Sequence, residues 1–592
     1  MATMRFARHT PFPLFRPSAS AVFLSALMLF AIVSCDNPTS SGEPDEQDLN
    51  GYSDETFFRV DGKDILNRQG EPVVIKGFGL GGWLLPEGYM FKMPGGFGAT
   101  DVRNEITDLI GAAKAEQWFQ EFRDNYVTED DIIAMKSWGV DHIRVPFHYD
   151  IFYDLATDSF KESGFERMDN LLTWCKRHRV DVIFDMHAAP GAQSESEISD
   201  SDGVARFWTE SETYWPITVK IWEELARRYK DETIVIGYDI INEPVTPDGY
   251  DGTDLAEFYK LIVPAIRAID QNHILFIEGN YYATTFDHLY PPFDDNMVYA
   301  FHKYWNETDQ GTIQYLLNLR DQYNTPLWLG ETGENSNVWF YETKELVEGF
   351  DIGWNKWTHK KLETITSPLS SPTNPNYEKV VNYWKGNGPR PSAQEAEQGL
   401  FQMARDLAID KTTLRPDVLA AWFSPEFATA NVPYTDIDIP GNVFAVHYDI
   451  GNQGVSYFDT EYKQVSSDDN QNVGNRGWSF RNDGVDIEVC SDPAVEYNVG
   501  WIETGEWLEY TVNVTASGTY NVRARVASTG SGRMRIKVND KPIGGDQDIP
   551  DTGGFQSWSQ INFGTEDFTQ GEALIRVEIL EGGFNFSMIS VN

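Results

Sequence analysis

Cysteine is nearly missing from this chain: Cys35, Cys175 and Cys490 are the three among 592 residues, too few for a disulfide framework. Cationic surface is scarce as well. Lys and Arg number 47 against 91 Asp and Glu, a formal charge of -44, whereas phosphate backbones and anionic headgroups are bound by clustered cations. Nucleic acid is thereby excluded as a partner, while a neutral polysaccharide would not be repelled. Long apolar runs are absent with one exception, Ala19 to Val33, which is too short to cross a bilayer comfortably. No glycine-rich phosphate loop follows the first strand-like run, which disfavours an open nucleotide-binding sheet.

The one apolar run has a specific setting. Arg5, Arg8 and Arg16 precede it, and it closes as Ile32-Val33-Ser34-Cys35. A charged start, a short apolar centre and small residues before a cysteine resemble a bacterial lipoprotein signal. The resemblance implies removal of residues 1–34, lipidation of Cys35 and a polar tether over 35–50. Export with a lipid anchor in the cell envelope is then expected, an ordinary secretory signal being the alternative.

What the chain has in abundance is aromatic residues: 18 Trp, 27 Tyr and 36 Phe. Most belong in cores, yet flat aromatic faces are also what sugar rings stack on. From Val73 to Trp357, eight β-like apolar runs alternate with amphipathic helical stretches. They start at Val73, His142, Val180, Val235, His273, Met297, Pro326 and Phe350. Such βα units predict an α/β fold with a parallel sheet covered on both faces, closed as a (β/α)8 TIM barrel over 51–435. A Pro- and Asn-rich insertion from Thr364 leads to a helix expected over Ala393 to Asp410. Near Pro433 to Pro440 the texture changes to short alternating strands with Gly and Asn turns, which predicts a linker and then an all-β, jelly-roll-like sandwich over 440–592. Contacts across that linker are expected to be modest, and the protein is expected to be a monomer.

Two strand ends carry the chemistry. In DIINEP, Asp239 to Pro244, and LWLGETG, Leu327 to Gly333, an apolar run stops at a glutamate beside a turn residue. A barrel presents a carboxylate in this way at the carboxyl end of a strand, and two carboxylates in one cavity can hydrolyse a glycosidic bond. Asn-Glu-Pro followed by a second strand-end Glu resembles glycoside hydrolase family 5. The resemblance implies a retaining mechanism with Glu243 as general acid/base, Glu331 as nucleophile and Asn242 on the sugar 2-hydroxyl. It further implies that Arg144 bonds the nucleophile, that His187 and His302 line the subsite of the cleaved sugar, that Tyr304 donates to the nucleophile, and that Trp357 is a sugar platform, with Trp354 its rival. Glu278 has no counterpart in the family and reads as structural. Glu195, Glu197, Asp200 and Asp202, in the loop from Ser194 to Gly203, read as a solvated acidic face, with no interleaved His or Cys to suggest a metal. No cofactor or catalytic metal is expected.

The stretch Gly79 to Gly88 is similar to exo-acting fungal β-1,3-glucanases, which draws the substrate towards β-1,3-glucan; general membership of the family draws it towards β-1,4-glucan, and mannan and xylan stay open. A transglycosylase, or a surface glycan-binding protein with a degenerate barrel, is the competing expectation. Downstream, Asn498 to Ser528 resembles carbohydrate-binding module family 6. That likeness implies sugar contacts at Trp501, Trp558 and Asn585, although for Trp558 a core position reads nearly as well. Where the family has two calcium-binding glutamates, this chain has Phe444 and Val446, so the structural calcium lacks its usual oxygen ligands.

Overall fold

A computed structural model describes residues 56–463 and 475–592. The expected signal, Cys35 and the tether lie outside the described residues. Eight parallel strands close into a barrel: β1 (Lys76–Gly79), β2 (His142–His148), β3 (Asp181–Ala188), β4 (Val235–Asp239), β5 (Ile274–Glu278), β6 (Met297–Lys303), β7 (Leu327–Gly333) and β8 (Gly353–Trp357). Each strand pairs with the next in chain order and β8 returns to β1, the order that βα connections in a closed parallel barrel require.

Side chains alternate across a strand, so every second residue points into the barrel. On β3 the inward row runs Ile183, Asp185, His187; on β5 it runs Ile274, Phe276, Glu278; on β6 it runs Val298, Ala300, His302. The first members of these rows pack with Ile75, Ile236 and Trp328 into an inner apolar layer, which Phe58 and Ile65 close from below. Ile65 sits in a hairpin made of Arg59–Asp61 and Asp64–Leu66. The last members are ionisable and stand at the carboxyl-end mouth. A second, larger apolar layer fills the space between strands and helices.

Local differences from the expected elements follow from hydrogen bonding. The fourth strand ends at Asp239, so Glu243 stands four residues beyond it, on the turn. The eighth strand starts at Gly353 because Phe350 and Asp351 still belong to the turn after the helix Asn337–Glu348. The insertion carries a three-stranded sheet of Lys360–Leu362, Leu369–Ser371 and Thr413–Leu414, and its second helix spans Ala393–Arg405.

The carboxyl-terminal region is all β. One sheet is built on Trp507–Val514, Gly571–Glu581, Gly532–Val538 and Lys541–Ile549, the other on Phe584–Val591, Gly518–Ser528 and Gly554–Phe568. Phe444 pairs with Met588 at the edge of the second sheet and packs against Cys490, Val495 and Met588, while Val446 is buried in the sandwich core. Cys175 and Cys490 are free, buried thiols.

Barrel and sandwich lie in one compact unit, Gly51–Asn592. The contacts expected to be modest include fully buried polar groups of both parts: Asn337 from the barrel side and Arg481, Asn482 and Asp483 from the other are all 0% exposed. Segment 433–440 joins the two and packs into the same contact, since Arg481 lies over the Tyr434 ring at 4.6 Å.

Candidate active site

Arg144 is the hub of the mouth. It is completely buried, and its guanidinium reaches Asp239 (Nε to Oδ2, 2.9 Å), Glu331 (Nη1 to Oε2, 2.9 Å), Asn242 (Nη2 to Oδ1, 2.7 Å), Glu278 (3.1 Å) and Asp185 (3.1 Å). Its planar fork of donors can serve several carboxyls at once, which a lysine could not. Burial alone would lower the Arg144 pKa; Asp185, Asp239, Glu331 and Glu278 reverse that and hold it well above its usual value.

Around this hub the two motif glutamates meet. One donor atom each of Glu243, His302 and Glu331 lies within 4.8 Å of the others. Among the described residues this is the group close enough to hold a cation, and the same closeness suits direct attack by one carboxylate on a sugar that the other protonates. Double displacement wants the carboxyls about 5 Å apart, whereas a water-inserting inverting pair needs about 6.5–9.5 Å. His302 Nδ1 bonds Glu243 Oε1 at 2.7 Å, and Tyr304 donates to Glu331 Oε1 at 2.8 Å. Glu278, read from sequence as structural, belongs to the site: its Oε2 accepts the backbone amide of Glu243 at 2.6 Å, and its Oε1 stands 3.3 Å from His302 Nε2. That amide bond steadies Glu243 in its left-handed backbone conformation, φ 41°, which a non-glycine residue adopts at a cost.

The electrostatics set the two glutamates in a crowded field. Burial pushes the Glu331 carboxyl up; His302 and Arg144 pull it down, and Glu243 adds to the rise. Burial also raises Glu278, but His302, Arg144 and the Glu243 amide bring it below its usual value. His302 would be lowered by burial and is instead held well above its normal range by Glu278, Glu331 and Glu243. Asp239 is raised by burial and by Glu278. Charge is thus shared among the neighbours of the two motif glutamates.

The remaining predicted residues fall into place around the pair. Asn242 Nδ2 stands 3.3 Å from His187 Nε2, whose Nδ1 bonds Asp185 at 2.7 Å. Trp357 stacks on His187, centroids 5.1 Å apart and planes 6° from parallel, so one of its faces is already covered. Gly81 makes room for it, because a Cβ there would stand 2.6 Å from the indole. Trp354, three residues earlier, points to the opposite face and packs on Trp422, which settles the register between the two tryptophans. Sequence reading missed Asp185, Asp239 and Glu87, although Asp239 opens the DIINEP motif and Asp185 lies two residues before His187 on the same strand. Glu87 is buried, one carboxyl oxygen has no partner, and burial followed by Glu331 and Glu243 raises its pKa well above normal.

The acidic loop is tied down in part. Asp200 accepts from Thr100 N and Oγ1, both 2.6 Å, and bonds His148 at 2.9 Å; Asp202 pairs with Arg206 at 2.7 Å. His148, at the end of β2, also meets Asp150 at 2.9 Å. Burial would lower its pKa, but Asp150 and Asp200 push it up to about 10. A group raised on folding stabilises fully below its unfolded value of about 6.5 and loses that contribution as pH climbs through the folded one. Stability measured by urea midpoint is therefore expected to fall between those limits. The fall should be flatter in His148→Gln, and parallel curves for the two proteins would show that His148 is not the cause.

In the sandwich, Trp501 and Asn585 line one cleft of about 620 Å³ together with Phe555, Glu488, Arg476 and Glu503. Trp501 is 44% exposed, and Asn585 Nδ2 donates to Glu488 Oε1 at 2.7 Å. Trp558 is not there. It packs beside Cys490, Val495 and Met588, in a stretch where the strand Gly554–Phe568 breaks register between Gly554 and Ser559. Phe555, 46% exposed, supplies the second aromatic ring.

Comparison with known proteins agrees with both halves. Residues 101–359 match the family model described as cellulase (glycosyl hydrolase family 5). Residues 481–591 match carbohydrate binding module family 35, in place of the family 6 expected from sequence. A β-xylosidase of Phanerodontia chrysosporium is 34% identical over 252 residues, 42% of this chain and 52% of that protein. Endoglucanase C of Acetivibrio thermocellus is 27% identical over 41% of this chain and 87% of its own length. A probable glucan 1,3-beta-glucosidase A of Aspergillus clavatus is 26% identical over 38% and 54%. The chain thus spans about half the length of the first and third of these relatives.

Proposed function

We propose, on the premise that residues 101–359 are a glycosyl hydrolase family 5 domain and residues 481–591 a carbohydrate-binding module of family 35, that the protein is a retaining glycoside hydrolase of β-linked glycans. The observation that carries this is the Glu243 to Glu331 approach within 4.8 Å. Glu243 protonates the glycosidic oxygen as the Glu331 carboxylate attacks the anomeric carbon, the leaving sugar departs with that proton, and a glycosyl ester forms on Glu331. Glu243, now ionised, removes a proton from water, which attacks the same carbon and frees Glu331. Arg144 and Tyr304 hold the nucleophile in orientation, and Asn242 is placed to bond the 2-hydroxyl. Occupation of every one of these positions favours an enzyme over a glycan-binding protein with a degenerate barrel.

The preferred substrate is a β-glucan, since two of the three relatives are named for glucans and the stretch Gly79 to Gly88 shares its pattern with β-1,3-glucanases; the β-xylosidase keeps xylan in view. The module cleft, with Trp501, Phe555 and Asn585, would hold the polymer. Export on a lipidated Cys35 belongs to the same proposal and is supported by the basic, apolar and small-residue order of residues 1–35.

The test is proton NMR of the first products from laminarin, carboxymethyl-cellulose, lichenan, mannan and xylan. Retained β configuration on at least one glucan is expected. Initial α products would overturn the double displacement, and release from xylan alone would overturn the glucan assignment.

A further inference from the structure

The segment that follows the nucleophile is held from an unexpected side. Glu331 is on β7, which ends at Gly333, and the helix Asn337–Glu348 begins four residues later. The three residues Asn335, Ser336 and Asn337 at this corner are all buried. Their partners come largely from the carboxyl-terminal region. Asn482 Nδ2 donates to Asn335 O at 2.7 Å and to Asn337 Oδ1 at 3.1 Å, and Asn337 N donates to Asn482 O at 2.7 Å. Asn337 Nδ2 donates to Asp483 Oδ1 at 2.7 Å and to Asp417 Oδ2 at 2.9 Å.

Ser336 makes the same point through what it forgoes. It occupies the N-cap of the helix, where a serine hydroxyl would normally accept a backbone amide of the first turn. Here it makes no such cap bond and donates instead to Tyr462 O. Val338, the next apolar residue, is 1% exposed and belongs to the hydrophobic core of the sandwich rather than that of the barrel. On the other side of the corner, Glu334 O accepts Trp305 Nε1 at 2.9 Å, and Trp305 adjoins Tyr304, the donor to Glu331. Asp483 is itself fixed by Arg481 at 2.5 Å, and Arg481 Cζ lies 3.7 Å from the centre of the Tyr448 ring.

We propose that the carboxyl-terminal module is a positioning element of the active site, with Tyr462, Asn482 and Asp483 clamping the corner Asn335–Asn337 and thereby the orientation of Glu331. The inference rests on the reading of Glu331 as nucleophile for its consequence in turnover, and on geometry alone for the clamp. A module joined only by a linker would raise local polymer concentration and leave small substrates unaffected. A module that supplies the partners of a catalytic corner also affects turnover of small substrates, since misplacing a reacting group by about 1 Å costs up to about 100-fold.

The experiment compares full-length wild type with Asn482→Ala and Ser336→Ala, and with Arg533→Ala, which breaks an exposed ion pair elsewhere on the module. Amide hydrogen exchange of peptides covering residues 327–340 is measured beside kcat and KM on the soluble β-oligosaccharide that wild type cleaves best. Faster exchange in that peptide, by about tenfold, with unchanged exchange over residues 181–188 and a kcat lower by about tenfold, is expected for Asn482→Ala. A smaller change of the same kind is expected for Ser336→Ala, which serves as the test if Asn482→Ala fails to fold. Arg533→Ala should match wild type. A lowered melting temperature with wild-type exchange over 327–340 and wild-type kcat would reduce the contacts to plain stability and overturn the proposal. Should the protein cleave no β-glycan, the proposed function falls, and the exchange result alone still decides whether the module clamps this corner.

Discussion

Replacing Glu331 by alanine is expected to lower kcat on the best β-glucan substrate on the order of 10⁴-fold, about 5.4 kcal/mol of transition-state free energy. The carboxylate that forms the ester is gone, while Glu243, its His302 partner and the sugar contacts stay. Azide should then enter the vacated space and attack an activated β-glycoside directly, giving an α-glycosyl azide by one inversion. Glu243→Ala should behave differently. With an activated leaving group it still forms the ester on Glu331, and azide attacking that ester yields the β-glycosyl azide by two inversions. Chromatography and NMR of the azide products distinguish the two roles. The same azide anomer from both variants would mean that the assignment of nucleophile and acid/base is wrong.

Removing the Arg144 guanidinium is expected to have the largest effect on stability. Arg144→Met leaves Asp185, Asp239, Glu278 and Glu331 facing one another without the cation that each of them touches. Breaking a buried ion pair from one side costs about 3–5 kcal/mol. The sign with pH follows from the same groups. Arg144 pulls the Asp239, Glu278 and Glu331 carboxyls down, so without it their folded-state pKa values stand higher than in wild type. A carboxyl whose folded-state pKa is higher contributes less stability, relative to wild type, as pH rises above its unfolded value of about 4. The deficit relative to wild type should accordingly be larger at about pH 8 than at about pH 5. Urea midpoints at both values check this, and an equal or smaller deficit at the higher pH would show that the cluster is not held by charge.

Much of this site was legible in the chain because the βα repeat is a strong local signal. Apolar runs of strand length, separated by amphipathic helices, leave few arrangements other than a closed parallel barrel, and strand-end motifs place Arg144, His187, Glu243, His302 and Glu331 at one mouth. Glu278 was legible as a strand end but not as a partner of Glu243, because its contact is with a backbone amide on a neighbouring loop. Trp558 was misplaced because an aromatic beside a break in strand register has no sequence mark for which side it takes.

By itself the sequence determined the fold class, the two glutamates and the aromatic and acidic character that suits neutral polysaccharide, since periodicity, turn residues and charge act over a few neighbours or over the whole composition. Only the tertiary structure decided the separation of the carboxyls, the sharing of charge among Arg144, His302 and their acidic neighbours, and the grip of the module on the corner after Glu331. Those depend on side chains distant in the chain meeting in a space from which water is excluded, where a shift of an ångström changes both pKa and reactivity.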